Sequence, residues 1–313
     1  MNDRKKGQRA SIPLSGTAVR CQTFYSEDII KPGASMEGIH AEQGFQELKR
    51  LIVQNLSLDC HQYKDGYLKR RLAVRMRARE VGDYSAYASL LRSDPLEYDE
   101  LLDDLTINVT HFFRDEAVFT TLENEVLPLL IYYKVMKGES SIRIWSAGCS
   151  SGEEPYSMAI LLRELLGEEF DKFSVTIVAS DIDEGVLEIA RKGQYPARQV
   201  AHVPPQYLSR HFTLNDDMYQ ISPSIMDMVR FRNIDLFNAT AGSHFDMILC
   251  RNVVIYFTRE MQERLYMKFH HSLRPGGYLV MGNTETLAGE AATLFVPTHS
   301  RERIYQKGER SYP

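Results

Sequence analysis

The stretch Ile142–Tyr156, IRIWSAGCSSGEEPY, decides the fold. An apolar, β-branched run (Ile142, Ile144, Trp145) stops at a loop of small residues from Ala147 to Gly152, and two carboxylates, Glu153 and Glu154, then open an apolar-periodic segment. The pattern reads as strand, ligand loop and helix. Glycines let a backbone approach a ligand closely, as in dinucleotide-binding turns. A phosphate loop, however, leaves the helix N-terminus free for the anion. Here acidic side chains occupy it, which disfavours a polyphosphate and favours a ligand with hydroxyls or positive charge. S-adenosylmethionine, a nucleoside carrying a sulfonium and an amino group, has that chemistry. One glutamate would neutralise the ligand's amino group while the other stays solvated.

Outward from this stretch, strand-like runs recur at Val175–Ser180, Val229–Arg232, Phe245–Cys250 and Tyr278–Gly282, with helical patterns between them. Such alternation implies an α/β fold: a doubly wound, mostly parallel sheet covered on both faces. Residues 192–228 break the alternation and hold four of the twelve prolines. Within them, short runs at Phe212–Leu214 and Met218–Ile221 flank Asn215-Asp216-Asp217, a hairpin signal. This segment is expected to be a small β-subdomain inserted in a sheet domain spanning 136–313. Upstream, residues 44–135 read as a helical domain and linker, with apolar faces formed by Phe45, Leu48, Leu51 and Ile52 and by Tyr84, Tyr87, Leu90 and Leu91. Residues 1–43 mix Gly, Ser, Pro and charge without periodicity and are expected to form a flexible leader.

Composition sets the frame. The 313 residues are 43% hydrophobic and 25% charged, enough for one large α/β domain and a smaller helical one. A net charge of -5 gives no overall nucleic-acid footprint. Cys21, Cys60, Cys149 and Cys250 form no CxxC pair, so neither a metal site nor a disulfide framework is expected. No apolar run approaches the ~20 residues needed to span a bilayer, and no signal-like core follows the polar start. A cytoplasmic monomer is the expectation.

In an open α/β sheet, ligands bind beyond the carboxyl ends of the strands. That rule selects the Gly148–Gly152 loop, then Asp181, then Asp235 and Leu236, then Arg251 and Asn252. Asp181 could bond both ribose hydroxyls, with Asp183 better placed to cap the following helix. The linker segment Asn108–Arg114, NVTHFFR, offers Asn108, Thr110 and Arg114 as partners for a carboxylate, because an arginine fork binds carboxylates bidentately. Residues 64–79, KDGYLKRRLAVRMRAR, hold seven basic side chains and one acidic one. Arg71, Arg75 and Arg79 recur every four residues and would form one stripe along a helix, either solvated or facing an acidic partner.

The segment after the fourth strand, CRNVVIYF, lacks the Asn/Asp-Pro-Pro-aromatic motif of enzymes that methylate base amines. A carboxylate acceptor is ionised at neutral pH and needs no general base, so the absence of an obvious catalytic dyad agrees with carboxylate methylation. At this point the chain resembles the chemotaxis-receptor glutamate O-methyltransferases, the CheR type, through NVTHFFR, IWSAGCSSGEEPYS, ASDIDEGVLEIAR, FDMILCRNVVIYF and LRPGGYLVMGNTETL. The resemblance implies S-adenosylmethionine bound between a helical domain and a Rossmann-like sheet. It implies cofactor contacts from Asn108, Thr110, Arg114, Glu154, Asp181, Asp235, Leu236, Arg251 and Asn252, with Arg114 and Tyr256 nearest the methyl donor and acceptor. Family members commonly carry Asn where this chain has Asp235. The implied partner is the glutamate-rich cytoplasmic helical domain of methyl-accepting chemoreceptors, met by Arg71, Arg75 and Arg79. Two alternatives stay open on residues alone: a methyltransferase for RNA or a small molecule, and a non-catalytic scaffold that senses the cofactor.

Overall fold

The computed structural model describes residues 36–308 apart from Ser57 and Thr240. Cys21 and most of the expected leader lie outside the described residues, but helix α1 (Met36–Asn55) begins inside the 1–43 segment. Three more helices complete the helical region: α2 (Asp65–Ala78), α3 (Tyr84–Ser93) and α4 (Glu97–Leu105). The Asp83 side chain caps α3 by accepting from the Ala86 amide, satisfying one of the donors that a helix start leaves without a partner. A continuous run follows, with α5 (Glu116–Thr121), a π turn (Leu122–Val126) and α6 (Leu127–Met136).

The sheet domain then alternates β1 (Ser141–Ala147), α7 (Glu153–Leu166), β2 (Ser174–Asp181) and α8 (Glu184–Lys192). The insertion supplies β3 (Gln194–Pro196), α9 (Ala197–Val200), α10 (Pro205–His211), β4 (Phe212–Asn215), β5 (Met218–Ile221) and α11 (Pro223–Met226). The main domain resumes with β6 (Val229–Asn233), β7 (Phe245–Cys250), α12 (Arg259–Ser272), β8 (Leu273–Met281), α13 (Ala291–Leu294), β9 (Phe295–His299) and β10 (Ile304–Lys307).

Among the described residues the main sheet has seven strands in the order β6-β2-β1-β7-β8-β10-β9, and the insertion forms a three-stranded sheet, β3-β5-β4. The doubly wound sheet and the inserted β-subdomain both agree with the sequence reading. β4 and β5 pair Asn215 with Met218 across the Asp216-Asp217 turn, where Asp216 takes φ 51°. The sequence reading lacked β9 and β10. β10 returns antiparallel on β8, β9 pairs antiparallel with β10 at the edge, and only the four-residue α13 lies between β8 and β9, so the alternation of strand with long helix that revealed the others is absent there.

Alternation along the central strands builds two cores. Met247 and Leu249 of β7 face one core with Ile144, Ile177 and α7 residues such as Ile160. Ile248 and Cys250 face the other, which runs through Trp145 and Phe257 into Phe45, Leu48 and Tyr87 of the helical region. The helical domain is therefore packed onto one face of the sheet. Cys60, Cys149 and Cys250 are buried free thiols. Among the described residues, no helix is long and apolar enough to cross a membrane.

Candidate active site

Strand order reverses between β1 and β7, and a cavity of two adjoining lobes lies at the carboxyl ends of the strands there. The larger lobe holds about 660 Å³, its mouth included, and the smaller about 560 Å³. Gly148, Ser150, Asn252 and Tyr256 line both.

The backbone at this junction is unusual. Ser150 (φ 48°) and Asn252 (φ 61°) are left-handed, as are Phe113 (φ 53°) and Asp115 (φ 61°) on either side of Arg114. Residues with a Cβ adopt this region rarely, and such strain gathers at functional sites. Gly148 is required here, since a Cβ on it would stand 2.4 Å from Val253 Cγ2.

In the larger lobe, Asp181 closes β2 and is 9% exposed. Its oxygens accept from the Ser150 amide (2.8 Å) and the Asp183 amide (3.2 Å). A carboxylate has about four acceptor positions, so capacity remains for ribose hydroxyls. Burial pushes its pKa up while those amides oppose the shift. Asp183 caps α8 through Oδ1, as the sequence indicated, and its Oδ2 accepts from Thr106 Oγ1 (3.0 Å) and Asn108 Nδ2 (2.8 Å). Asn108 is thus tied across to the sheet while lining the lobe. Asp235 folds its own turn, accepting from the Phe237 amide (2.8 Å) and Asn238 Nδ2 (2.5 Å), and Leu236 faces the lobe beside it. Ile107, Ile182, Ile234 and Phe257 supply apolar walls for a base.

The smaller lobe brings Thr110, Arg114, Glu154, Arg251 and Tyr256 together. Glu154 accepts from Ser146 Oγ (2.7 Å) and from Arg251 Nη1 (3.3 Å). Burial pushes its pKa up, against the pull of Arg251 and Arg114. Arg251 also donates through Nη2 to the Arg114 carbonyl (2.7 Å) and to Asp115 (2.6 Å). Arg114 donates to the Val109 carbonyl at 2.6 Å. Burial raises the Tyr256 phenol pKa, with Arg114 and Arg71 opposing.

Two expectations need correction. Glu153 does not stay solvated: it is fully buried, its carboxylate accepting from Ser151 Oγ (2.8 and 3.0 Å), and burial raises its pKa. Nor is the arginine stripe of α2 a free surface. Arg75 forks onto Glu97 (2.9 and 2.8 Å), and Arg79 joins Glu97 (2.9 Å) and Asp94 (2.9 Å). Acids of α4 and the turn before it neutralise them inside the helical domain. Arg71 alone of the three stands near enough to a cavity residue for its charge to act on it, lowering the pKa of Tyr256 as it does that of Tyr67. The sequence reading also missed Gln62 and Tyr63, which line the larger lobe from the helical side, and Glu285, buried against the loop that leaves β7 and bonded to its Val254 amide. Only Glu285 had a signal, lying in the NTET run after β8.

The donor set fits S-adenosylmethionine. Asn252 Oδ1 and Arg251 Nε are buried without hydrogen-bond partners, which leaves polar capacity at the cavity for a ligand. Two buried carboxylates suit hydroxyls and an ammonium, and Arg114 suits a carboxylate. A Rossmann-like sheet with this site defines an S-adenosylmethionine-dependent methyltransferase. Residues 43–106 match the CheR methyltransferase all-alpha domain and residues 108–304 the CheR methyltransferase SAM binding domain. The chain belongs to the CheR methyltransferase family. A chemotaxis protein methyltransferase of Listeria innocua is 36% identical over 251 residues, 80% of this chain and 92% of that protein. One from Borreliella burgdorferi is 35% identical over 252 residues, 78% of this chain and 89% of its own. Chemotaxis protein methyltransferase 2 of Pseudomonas aeruginosa is 34% identical over 252 residues, covering 79% and 87%.

Proposed function

We propose that this enzyme methylates glutamate side chains in the cytoplasmic helical domain of chemoreceptors, giving γ-methyl esters and tuning sensory adaptation in the cytoplasm. The observation that carries the reading is the smaller lobe: it places a guanidinium and a phenol, Arg114 and Tyr256, beside Glu154, while its imidazole, His111, bonds through Nδ1 to the Phe112 carbonyl (3.1 Å) and packs on the His202 ring. A carboxylate acceptor requires no general base.

Bound S-adenosylmethionine supplies an electrophilic methyl group and leaves as S-adenosylhomocysteine. Asp181 holds the ribose, Glu154 the amino group, and Asn108, Thr110 and Arg251 the remaining polar edges. Arg114 attracts the acceptor carboxylate, and Tyr256, kept protonated by burial, donates a hydrogen bond that orients one oxygen. Both residues act by alignment and exclusion of water. The receptor meets the exposed cations Arg70 and Arg77 of α2, with the half-buried Arg71 beside Tyr67. Acidic helices of a receptor complement that face.

The test is incubation of purified enzyme with methyl-labelled cofactor and receptor-containing membranes, followed by alkaline release. Volatile, base-labile label on receptor glutamates is expected. Alkali-stable label on nucleic acid, or no transfer despite tight cofactor binding, would replace this reading.

A further inference from the structure

The loop leaving β7 carries Asn252 and Tyr256, so its shape sets both cofactor and acceptor geometry. Asn252 sits in the left-handed region, which asparagine tolerates better than most residues with a Cβ, and neighbouring groups fix the loop around it. The nearest such group is Glu285, 3% exposed and outside both lobes. Its Oε1 accepts from the Val254 amide (3.0 Å) and its Oε2 from the Gly282 amide (2.7 Å). The amides of Asn252 and Val253 also stabilise this carboxylate. Gly282 leaves no room for a side chain: a Cβ would stand 2.7 Å from the Asn252 nitrogen and 2.9 Å from Glu285 Oε2. Gln262 donates to the Val254 carbonyl (2.8 Å) and the Phe257 carbonyl (3.2 Å). Lys64 Nζ donates to the Ile255 carbonyl (2.8 Å). Of these three side chains, Glu285 alone is deeply buried and alone ties two strand exits together.

We propose that Glu285 is a positioning residue for methyl transfer, binding the β7 exit loop to the β8 exit turn so that Asn252 faces the cofactor and Tyr256 faces the acceptor. The proposal rests on the roles given to Asn252 and Tyr256 above. Glu285 touches neither substrate and acts through them.

A double-mutant cycle tests it. Glu285→Gln keeps the shape but turns one acceptor into an amide donor facing an N–H. It is expected to unfold cooperatively and to bind S-adenosylhomocysteine about tenfold more weakly by calorimetry, the scale of one or two lost hydrogen bonds. In an Asn252→Ala background the same substitution should add less than about twofold, because coupled residues are not additive. Equal losses in both backgrounds would show a merely structural role, and no loss in the parent would overturn the proposal outright. If Glu285→Gln fails to fold, Glu285→Asp, which keeps the charge and retracts it by one methylene, carries the same cycle. Unchanged affinity in Asn252→Ala alone would remove that residue's cofactor role. The parallel cycle with Tyr256→Phe, read on kcat, then decides for Glu285.

Discussion

Two sets of buried carboxylates in this molecule have opposite surroundings. Glu97 in the helical domain has a fully covered side chain, yet Arg75, Arg79 and Tyr87 all bond to it. Burial works against its ionisation, but those partners win and hold the carboxyl below its ordinary pKa. Glu154 and Asp181 at the cavity, 13% exposed along the side chain and 9% exposed respectively, are pushed the other way. Glu154 pairs with Arg251 at 3.3 Å and shares that guanidinium with Asp115, which holds it at 2.6 Å. A buried charge that its neighbours complete is part of the scaffold. One left short is where a ligand completes the set, and a cationic ammonium or paired hydroxyls would do so.

The sharpest way to break this contrast is to remove each acid in turn. Glu97→Gln should lower unfolding stability by about 3 kcal/mol, the scale for leaving one partner of a buried ion pair uncompensated, while the folded enzyme keeps its affinity for S-adenosylhomocysteine. Because the folded pKa is depressed, this contribution is present above the ordinary carboxyl pKa and disappears as pH falls through the folded value. Denaturation midpoints of the two proteins should therefore converge in acid. A variant as stable as the parent at neutral pH would mean that the network is ornamental.

Glu154→Gln should show the reverse: stability unchanged or higher, and S-adenosylhomocysteine affinity about thirtyfold weaker, roughly 2 kcal/mol. The sign with pH also reverses. A carboxyl raised in the folded state binds a proton that the unfolded chain releases, so stability without ligand falls as pH rises from the ordinary value through the raised one. Affinity for an ammonium-bearing ligand rises across that window. Asp181, Glu153 and Glu285 are raised too, so the difference between parent and Glu154→Gln, rather than either curve, isolates this residue. Parallel curves would remove the ammonium assignment.

How far these contrasts were legible in the chain follows from their range. β1, β2, β6, β7 and β8 announce themselves as apolar runs ending at turns, and the residues just past them converge because a doubly wound sheet brings strand ends together. The hairpin at Asp216-Asp217 was local and therefore readable. The fate of Arg75 and Arg79 was not: it depends on acids some twenty residues away, on α4 and the turn before it, and spacing within α2 cannot reveal them. Glu153 misled because two glutamates opening a helix look alike in sequence, whereas the chain buries one against Ser151. The left-handed Ser150 and Asn252 carry no glycine to mark them.

The rest of the basic helix gives the smallest expected effect. With Arg75 and Arg79 engaged internally, the proposed receptor contact would fall to Arg70 and Arg77, both exposed, and to Val74, 39% exposed between them at helical spacing. Exposed charges in water contribute ~0.2–1 kcal/mol each, so Arg70→Glu with Arg77→Glu should raise the receptor KM only about three- to tenfold. Added salt should shrink the difference, since screening at 0.15 M already acts within about 8 Å. Cofactor affinity and thermal midpoint should hold, which separates this pair from Arg75→Glu, where Glu97 would be left facing a like charge and the domain would lose stability first. If instead the exposed pair leaves KM untouched at low salt, the receptor docks elsewhere, and the solvated face that charge runs usually form is the better account of α2.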